Sequence, residues 1–411
     1  MPIYNVPGVY VEEVPSGVRP IAAQSTSTPV FIGTGGKPDA PRGEPRAITT
    51  WTEYANSFLG DGAMTPLSHA VNGFFLNTQG RCYVLDIGDG TLTGTTDSPG
   101  LSVLEAIDDI AIVAAPGYTD VASYEAVIAH CEKMRDRVAI LDAVPNGKDT
   151  SGYTRVATEA PAPSAPAAPA EGGDAPAPAS GGGRRAAAVE AYRPRSSDFA
   201  TVYHPWLTVK DLHTGETVAA PPSGYMAGVW ARTDAARGVF KAPANTPIRG
   251  IVGVQRRVAP QEQGELNDAG VNVIRAVGRG DILPWGARTL SADAQWRYLS
   301  VRRLFCMVEE AIADGTQWIV FEPNDKPLWN MIKRDVTAFL LGLWRDGALA
   351  GSKPEEAFFV KCDAETNPPD VVDAGRVVAW VGLAPVKPAE FIVFQVSQFS
   401  GGTTTEELNN A

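Results

Sequence analysis

Residues 110 to 142 alternate strand, helix and strand, and this order constrains the fold more than any other feature of the chain. Ile110-Ala111-Ile112-Val113-Ala114 and Val138-Ala139-Ile140-Leu141-Asp142 are short continuous apolar runs, the form a buried strand takes. Between them, residues 123 to 135 put Tyr124, Val127, Ile128, Cys131 and Met134 on one helical face, as a helix lying on a sheet requires. The segment therefore reads as a βαβ unit, and the fold class around it as α/β.

Neighbouring segments fit the same layer. Pro29-Val30-Phe31-Ile32-Gly33 and Arg81-Cys82-Tyr83-Val84-Leu85-Asp86 read as strands, residues 51 to 60 and 67 to 77 as helices, and 199 to 210 as further strand. Residues 159 to 183 interrupt the pattern with Ala, Pro and Gly and almost no large apolar side chain. Such a stretch buries too little surface to offset its ordering entropy and is expected to be a disordered surface insertion.

The last third changes character. From 294 to 314, Tyr298, Val301, Phe305, Val308 and Ile312 recur at helical spacing, with Ser291 and Asp293 as cap candidates and Gly315 as the stop. Gln317-Trp318-Ile319-Val320-Phe321 reads as a buried strand. A second helix carries Trp329, Ile332, Val336, Phe339, Leu340 and Leu343, and strands are expected at 357 to 361 and 376 to 383. This part is an α+β unit. The chain thus divides into an extended N-terminal arm (1–20), an α/β domain (21–270), an α+β domain (271–386) and a C-terminal strand arm with its tail (387–411).

Both arms hold strand-like runs without a local partner: Val9-Tyr10-Val11-Glu12 at the start, and Phe391-Ile392-Val393-Phe394-Gln395-Val396 near the finish. Backbone N–H and C=O groups in a strand need a neighbour, and an unpaired edge is a template for another chain. The pattern points to assembly.

Composition narrows the remaining classes. With 411 residues the chain can bury a sizeable core, and its formal charge of −12 and pI near 4.9 argue against a general nucleic-acid surface. Cys82, Cys131, Cys306 and Cys362 lie far apart and read as free thiols in a reducing compartment. The start lacks a secretory pattern and no run reaches the length of a membrane span, so neither a membrane partner nor a secreted state is expected.

No motif supplies chemistry. Gly33-Thr34-Gly35-Gly36-Lys37-Pro38 has the wrong spacing for a phosphate loop, and Pro38 stands where a hydroxyl belongs. Gly88-Asp89-Gly90 with Gly94 lacks the third glycine of a dinucleotide fingerprint. His69, His130, His204 and His213 have no metal spacing and read as surface or satisfied residues, and Ser223 lacks the preceding glycine of a nucleophile elbow. No catalytic residue, cofactor or metal is expected. Arginines concentrate from Arg249 to Arg303, either as a salt-bridged face or as a contact with an acidic partner.

Several ordered blocks then identify a resemblance. Pro7-Gly8-Val9-Tyr10-Val11-Glu12-Glu13, Ser223-Gly224-Tyr225-Met226-Ala227-Gly228-Val229-Trp230, Trp285-Gly286-Ala287-Arg288-Thr289-Leu290, Phe321-Glu322-Pro323-Asn324 and Pro385-Val386-Lys387-Pro388-Ala389-Glu390-Phe391 resemble the contractile tail sheath family. The likeness covers the N-terminal arm and most of residues 220 to 398; the 159–183 insertion departs from it. It implies a non-enzymatic structural subunit that stacks in six-membered rings around an inner tube and shortens to drive the tube forward. It also implies an outer domain, a tube-facing C-terminal domain, and terminal arms that add strands to neighbouring copies.

The implied partners are other copies of the chain, the tube protein, and baseplate and terminal cap proteins, with no direct nucleic-acid or membrane partner. The implied setting is the bacterial cytoplasm during assembly and a phage tail or tail-like particle afterwards. A basic exposed face suits an acidic tube, which makes Lys333, Arg334 and Arg345 candidate tube contacts. The alternatives are a non-contractile shell protein and, from the βαβ pattern, an α/β enzyme.

Overall fold

A computed structural model describes residues 20–88, 90–94, 100–145, 150–157, 191–278 and 280–393. The insertion at 159–183, the arm strand Val9 to Glu12, and Phe394, Gln395 and Val396 lie outside the described residues.

The chain opens with β1 (Pro29–Gly33), β2 (Arg46–Ile48), α1 (Trp51–Phe58), α2 (Pro66–Asn77) and β3 (Cys82–Asp86). The βαβ unit follows as β4 (Ile112–Ala114), α3 (Val121–Met134) and β5 (Val138–Asp142), then α4 (Thr150–Thr154) and β6 (Ala200–His204). Next come β7 (Leu207–Lys210), β8 (Thr217–Ala220), α5 (Ser223–Arg237), β9 (Gly253–Val254), α6 (Pro260–Asp268), β10 (Val271–Val277) and β11 (Asp281–Pro284). The C-terminal part holds α7 (Leu299–Gly315), α8 (Lys326–Arg345), β12 (Phe358–Lys361) and β13 (Trp380–Leu383).

An eight-stranded sheet in the order β11-β10-β6-β5-β4-β1-β3-β2 forms the centre of the larger lobe. Its inner pairs are all parallel, while β2 and β11 close the two edges antiparallel. Every residue of β1, β4, β5 and β6 is buried, as in a parallel sheet covered on both faces. Their apolar runs are legible in sequence for that reason.

Helix α5 lies against α2 so closely that only glycine fits at the crossing. A Cβ on Gly224 would come within 2.3 Å of the Ala70 backbone, and one on Gly228 within 2.6 Å of Asn77 Cβ. The N-cap of α5 is Pro222, which offers no side-chain acceptor. Asp142, at the end of β5, fills that role by accepting from the Ser223 N–H and hydroxyl, each at 2.8 Å.

The smaller lobe has its own core, built from α7 residues Leu304, Met307, Val308 and Ala311, α8 residues Leu328, Trp329, Ile332, Val336 and Leu340, and Ala357 and Val360. The expected domain division after residue 270 needs correction. Strand β10 begins at Val271 and pairs with β6, so the large sheet continues to Pro284, and the second core draws on residues from Leu304 onward together with Ile21 and Val239. A long-range pairing decides this; composition does not change at 270.

Two local expectations also change. Helix α7 starts at Leu299, not 294, and its N-cap is Tyr298; Ser291 and Asp293 instead accept from the amides of Asp293 and Gln295 in the preceding turn. Residues 317 to 321 form no strand. Gln317–Ile319 is a 3-10 turn, and Phe321 follows fully exposed with φ of 71°.

Candidate intersubunit surface

Past β13 the chain turns along the smaller lobe and then crosses to the larger one. Val386 N–H donates to the Ala348 carbonyl at 3.2 Å, and Pro385 bridges to Leu349. Residues Pro388 to Ile392 then run along a groove of about 500 Å³ whose other walls include Ala242, Asn245, Gln263 and Trp285. Glu390 is held there by Arg288 through contacts of 2.5 to 3.2 Å. Immediately afterwards Phe391, Ile392 and Val393 stand 75%, 74% and 81% exposed and join no strand.

Three consecutive large apolar residues in solvent are costly to leave uncovered, and they lie at the root of the C-terminal arm. Close by in sequence, β12 and β13 form an antiparallel sheet of two strands only among the described residues. A two-stranded sheet is marginal on its own and offers an unpaired edge on each side. Its exposed face carries Phe359 and Trp380, with Lys361 Nζ 5.5 Å from the Trp380 ring centroid. Gly382 opposite Phe359 is what lets the phenyl ring lie on the neighbouring strand, since a Cβ there would meet the ring at 2.0 Å.

Lys333, Arg334 and Arg345 are all exposed on α8, whose opposite side forms the small core. Arg334 and Arg345 share a face about three turns apart, whereas Lys333 lies roughly 100° away. Arg334 also contacts the buried Asp335, Nε to Oδ1 at 2.9 Å. The three therefore present one pair and one separate charge, not a single patch.

Three arginines of the concentration, Arg288, Arg302 and Arg303, are internal. Arg303 on α7 reaches Asp234 on α5 at 2.5 and 3.0 Å, donates to the Thr26 carbonyl at 2.8 Å, and lies over the Trp230 ring. Arg302 pairs with Asp198 and Glu309 at 3.2 Å and sits over the Phe199 and Trp296 rings. These residues join the two lobes. The expectation of a salt-bridged role fits them, with the correction that Arg288, Arg302 and Arg303 are buried and not on a surface face.

Sites with chemical potential resolve as structure. Asp86 accepts from the amides of Gly35 at 3.1 Å and Gly88 at 2.8 Å, so a carboxylate occupies the position from which these glycine turns could have held a phosphate. Three histidines expected at the surface or satisfied, His69, His130 and His204, are instead buried, and burial lowers the pKa of each, His130 and His204 to about 4. Neither ring nitrogen of His204 has a hydrogen-bond partner among the described residues. Among the described residues no group of three His, Cys, Asp or Glu is placed to hold an ion. No helix among them is long and apolar enough to cross a membrane.

Burial pushes the Asp142 pKa up to about 6, against the lowering effect of its bonds to Gly117 and Ser223. Because the folded-state value lies above the ordinary one, Asp142 contributes stability that is present below about pH 4 and is lost as pH rises through 6. Asp142→Asn, which resembles the protonated form, should remove that slope. Urea unfolding at pH 4 and pH 7.5 is expected to show the wild type losing on the order of 2 kcal/mol relative to the variant; a constant difference would contradict the assignment.

Residues 100–290 match the phage tail sheath protein central domain, and residues 291–399 match the phage tail sheath C-terminal domain. The chain belongs to the phage tail sheath family. A prophage major tail sheath relative from Pseudomonas aeruginosa is 31% identical over 198 residues, 47% of this chain and 49% of that one. The tail sheath protein of Salmonella phage ViI is 27% identical over 63% of this chain and 38% of its own length. The chain thus spans about half or less of these curated relatives.

Likeness to solved structures extends further. The sheath of an extracellular contractile injection system, PVC, in its contracted state aligns with a TM-score of 0.74 and 29% identity over 97% of this chain and 99% of that one. The contracted helical sheath of the anti-feeding prophage aligns with 0.72 and 31% over 96% and 100%. The family division at 290/291 falls after the last strand of the large sheet, which ends at Pro284, and before α7, which begins at Leu299.

Proposed function

We propose that the chain is a non-catalytic structural subunit of a contractile sheath, polymerising with copies of itself as stacked six-membered rings around an inner tube and shortening to drive that tube into a target. The observation that carries this is the pairing of an uncovered apolar arm root, Phe391 to Val393, with a two-stranded sheet, β12–β13, that has strand edges to offer. An arm from one copy that adds to this sheet in the next gains main-chain hydrogen bonds, while its alternate side chains fill pockets. Linkage from each copy to a neighbour by its arm is heterologous, and such contacts close into rings or continue as helices.

The buried arginine staples between the lobes favour each subunit behaving as one rigid body, with the arms as the compliant links. Energy for shortening then comes from the difference between two subunit packings. On this reading the larger lobe faces solvent and the smaller lobe faces the tube, with Arg334 and Arg345 as the paired tube contacts and Lys333 beside them. Copies at the ends of the stack meet baseplate and cap proteins, and assembly takes place in a bacterial cytoplasm. Electron microscopy of the purified chain, alone and with its tube protein, should reveal helical tubes or stacked rings of sixfold symmetry in two lengths. A chain that stays monomeric under all conditions, or tubes of one invariant length, would count against the sheath reading or against shortening respectively.

A further inference from the structure

We infer that Arg288 and Glu390 are positioning residues that fix the exit of the C-terminal arm on the larger lobe before any neighbour is bound. The inference rests on the sheath reading for its partner, a second copy of this chain, but its geometry is contained within one subunit.

Arg288 is 6% exposed, and its backbone is tied to side chains of the large sheet. Its N–H donates to Asn272 Oδ1 at 2.8 Å, and its carbonyl accepts from Thr201 Oγ1 and Asn272 Nδ2, both at 2.8 Å. Thr201 and Asn272 are themselves fully buried, on β6 and β10. One guanidinium nitrogen donates to the Asn267 carbonyl at the end of α6, and Asp268 lies 3.7 Å away. The remaining donors point at the two carboxylate oxygens of Glu390, whose side chain is 17% exposed. An arginine whose main chain is pinned by three hydrogen bonds to buried side chains, and whose guanidinium donates to a backbone carbonyl, is a fixed receptor for a carboxylate, and the pair is charge-assisted and bidentate.

The consequence concerns where the arm is anchored. Pro385 and Val386 tie the chain to the smaller lobe, and Lys387-Pro388 alone would let everything beyond them swing. The clasp moves the last fixed point onward to Glu390, directly before Phe391, and onto the eight-stranded sheet. Immobilising the root of a flexible segment in its bound direction reduces the entropy lost on docking. It also routes force on the arm into the larger core instead of the two-stranded sheet.

Two readouts on the full-length chain test this. Spin labels at Ala389→Cys and Glu265→Cys, both exposed positions, report the distance from the arm root to α6 in dilute, unassembled protein; the native cysteines are buried. Glu390→Gln should broaden that distance distribution, and Glu390→Asp should broaden it less. In assembly, the concentration at which tubes appear should rise about tenfold for Glu390→Gln, with partial recovery in Glu390→Asp. Equal distributions in wild type and Glu390→Gln overturn the clasp whatever the tubes do. A broadened distribution with an unchanged onset overturns its role in docking. A narrow wild-type distribution in a protein that never forms tubes overturns the sheath reading and leaves the positioning of the root established.

Discussion

A chain ending at Glu390 should fold with an unchanged melting temperature and fail to polymerise. Phe391, Ile392 and Val393 are 74% or more exposed, so they contribute almost nothing to the subunit's own core. Removing exposed residues outside any packed contact usually changes stability by less than about 0.5 kcal/mol. In a neighbouring copy the same three side chains, once buried, would contribute about 1.5 to 3 kcal/mol each before the cost of ordering the arm. Losing even half of that total weakens association by at least about fortyfold, since each 1.4 kcal/mol is a factor of ten. Circular dichroism and sedimentation velocity on the same sample separate the two effects. The triple substitution F391S/I392S/V393S, which keeps the chain length and the clasp, should behave alike; either variant forming tubes at the wild-type concentration would show that the arm root is not the coupling element.

What the sequence reveals about this arm, and what it hides, follows from which contacts lie within one subunit. Strands β1, β4, β5 and β6 are readable because both their faces are buried in the same chain, so their apolar runs and their burial agree. Trp318 to Phe321 is just as apolar, yet Val320 and Phe321 end in solvent, because composition does not distinguish a side chain meant for the core from one meant for a partner. The arm root gave a better signal: its apolar run follows Pro385 and Pro388 and has no strand nearby to pair with. The Arg288–Glu390 clasp joins residues 102 apart, and the β10–β6 pairing that moves the domain boundary joins segments about 70 apart; neither leaves a periodicity to detect. Buried arginines are illegible for a related reason. Arg288, Arg302 and Arg303 look like surface charge until their carboxylate partners are brought in by the fold.

Arg303 accordingly carries the largest expected effect on folding itself. Its partner Asp234 is 6% exposed on the side-chain scale and retains, beyond the arginine, a hydrogen bond from Thr26 Oγ1 at 2.7 Å. Arg303→Ala would leave that carboxylate charged, buried and nearly alone, and remove the cation from the face of Trp230, 4.6 Å away. Breaking a buried ion pair from one side costs about 3 to 5 kcal/mol, mostly through the charge left behind. Guanidinium unfolding should show a drop of that size, with the transition of the smaller lobe separating from that of the larger because the staple between α7 and α5 is gone. The double variant R303M/D234N removes both charges and should recover most of the loss, as replacement of a buried pair by neutral groups often does. If R303A instead unfolds in one transition at the wild-type midpoint, the ion pair is dispensable and the rigidity assigned to the subunit must come from the apolar packing between the lobes. That distinction bears on contraction, since a subunit whose lobes move independently can absorb a change in packing internally, whereas a stapled one must pass it to the arms.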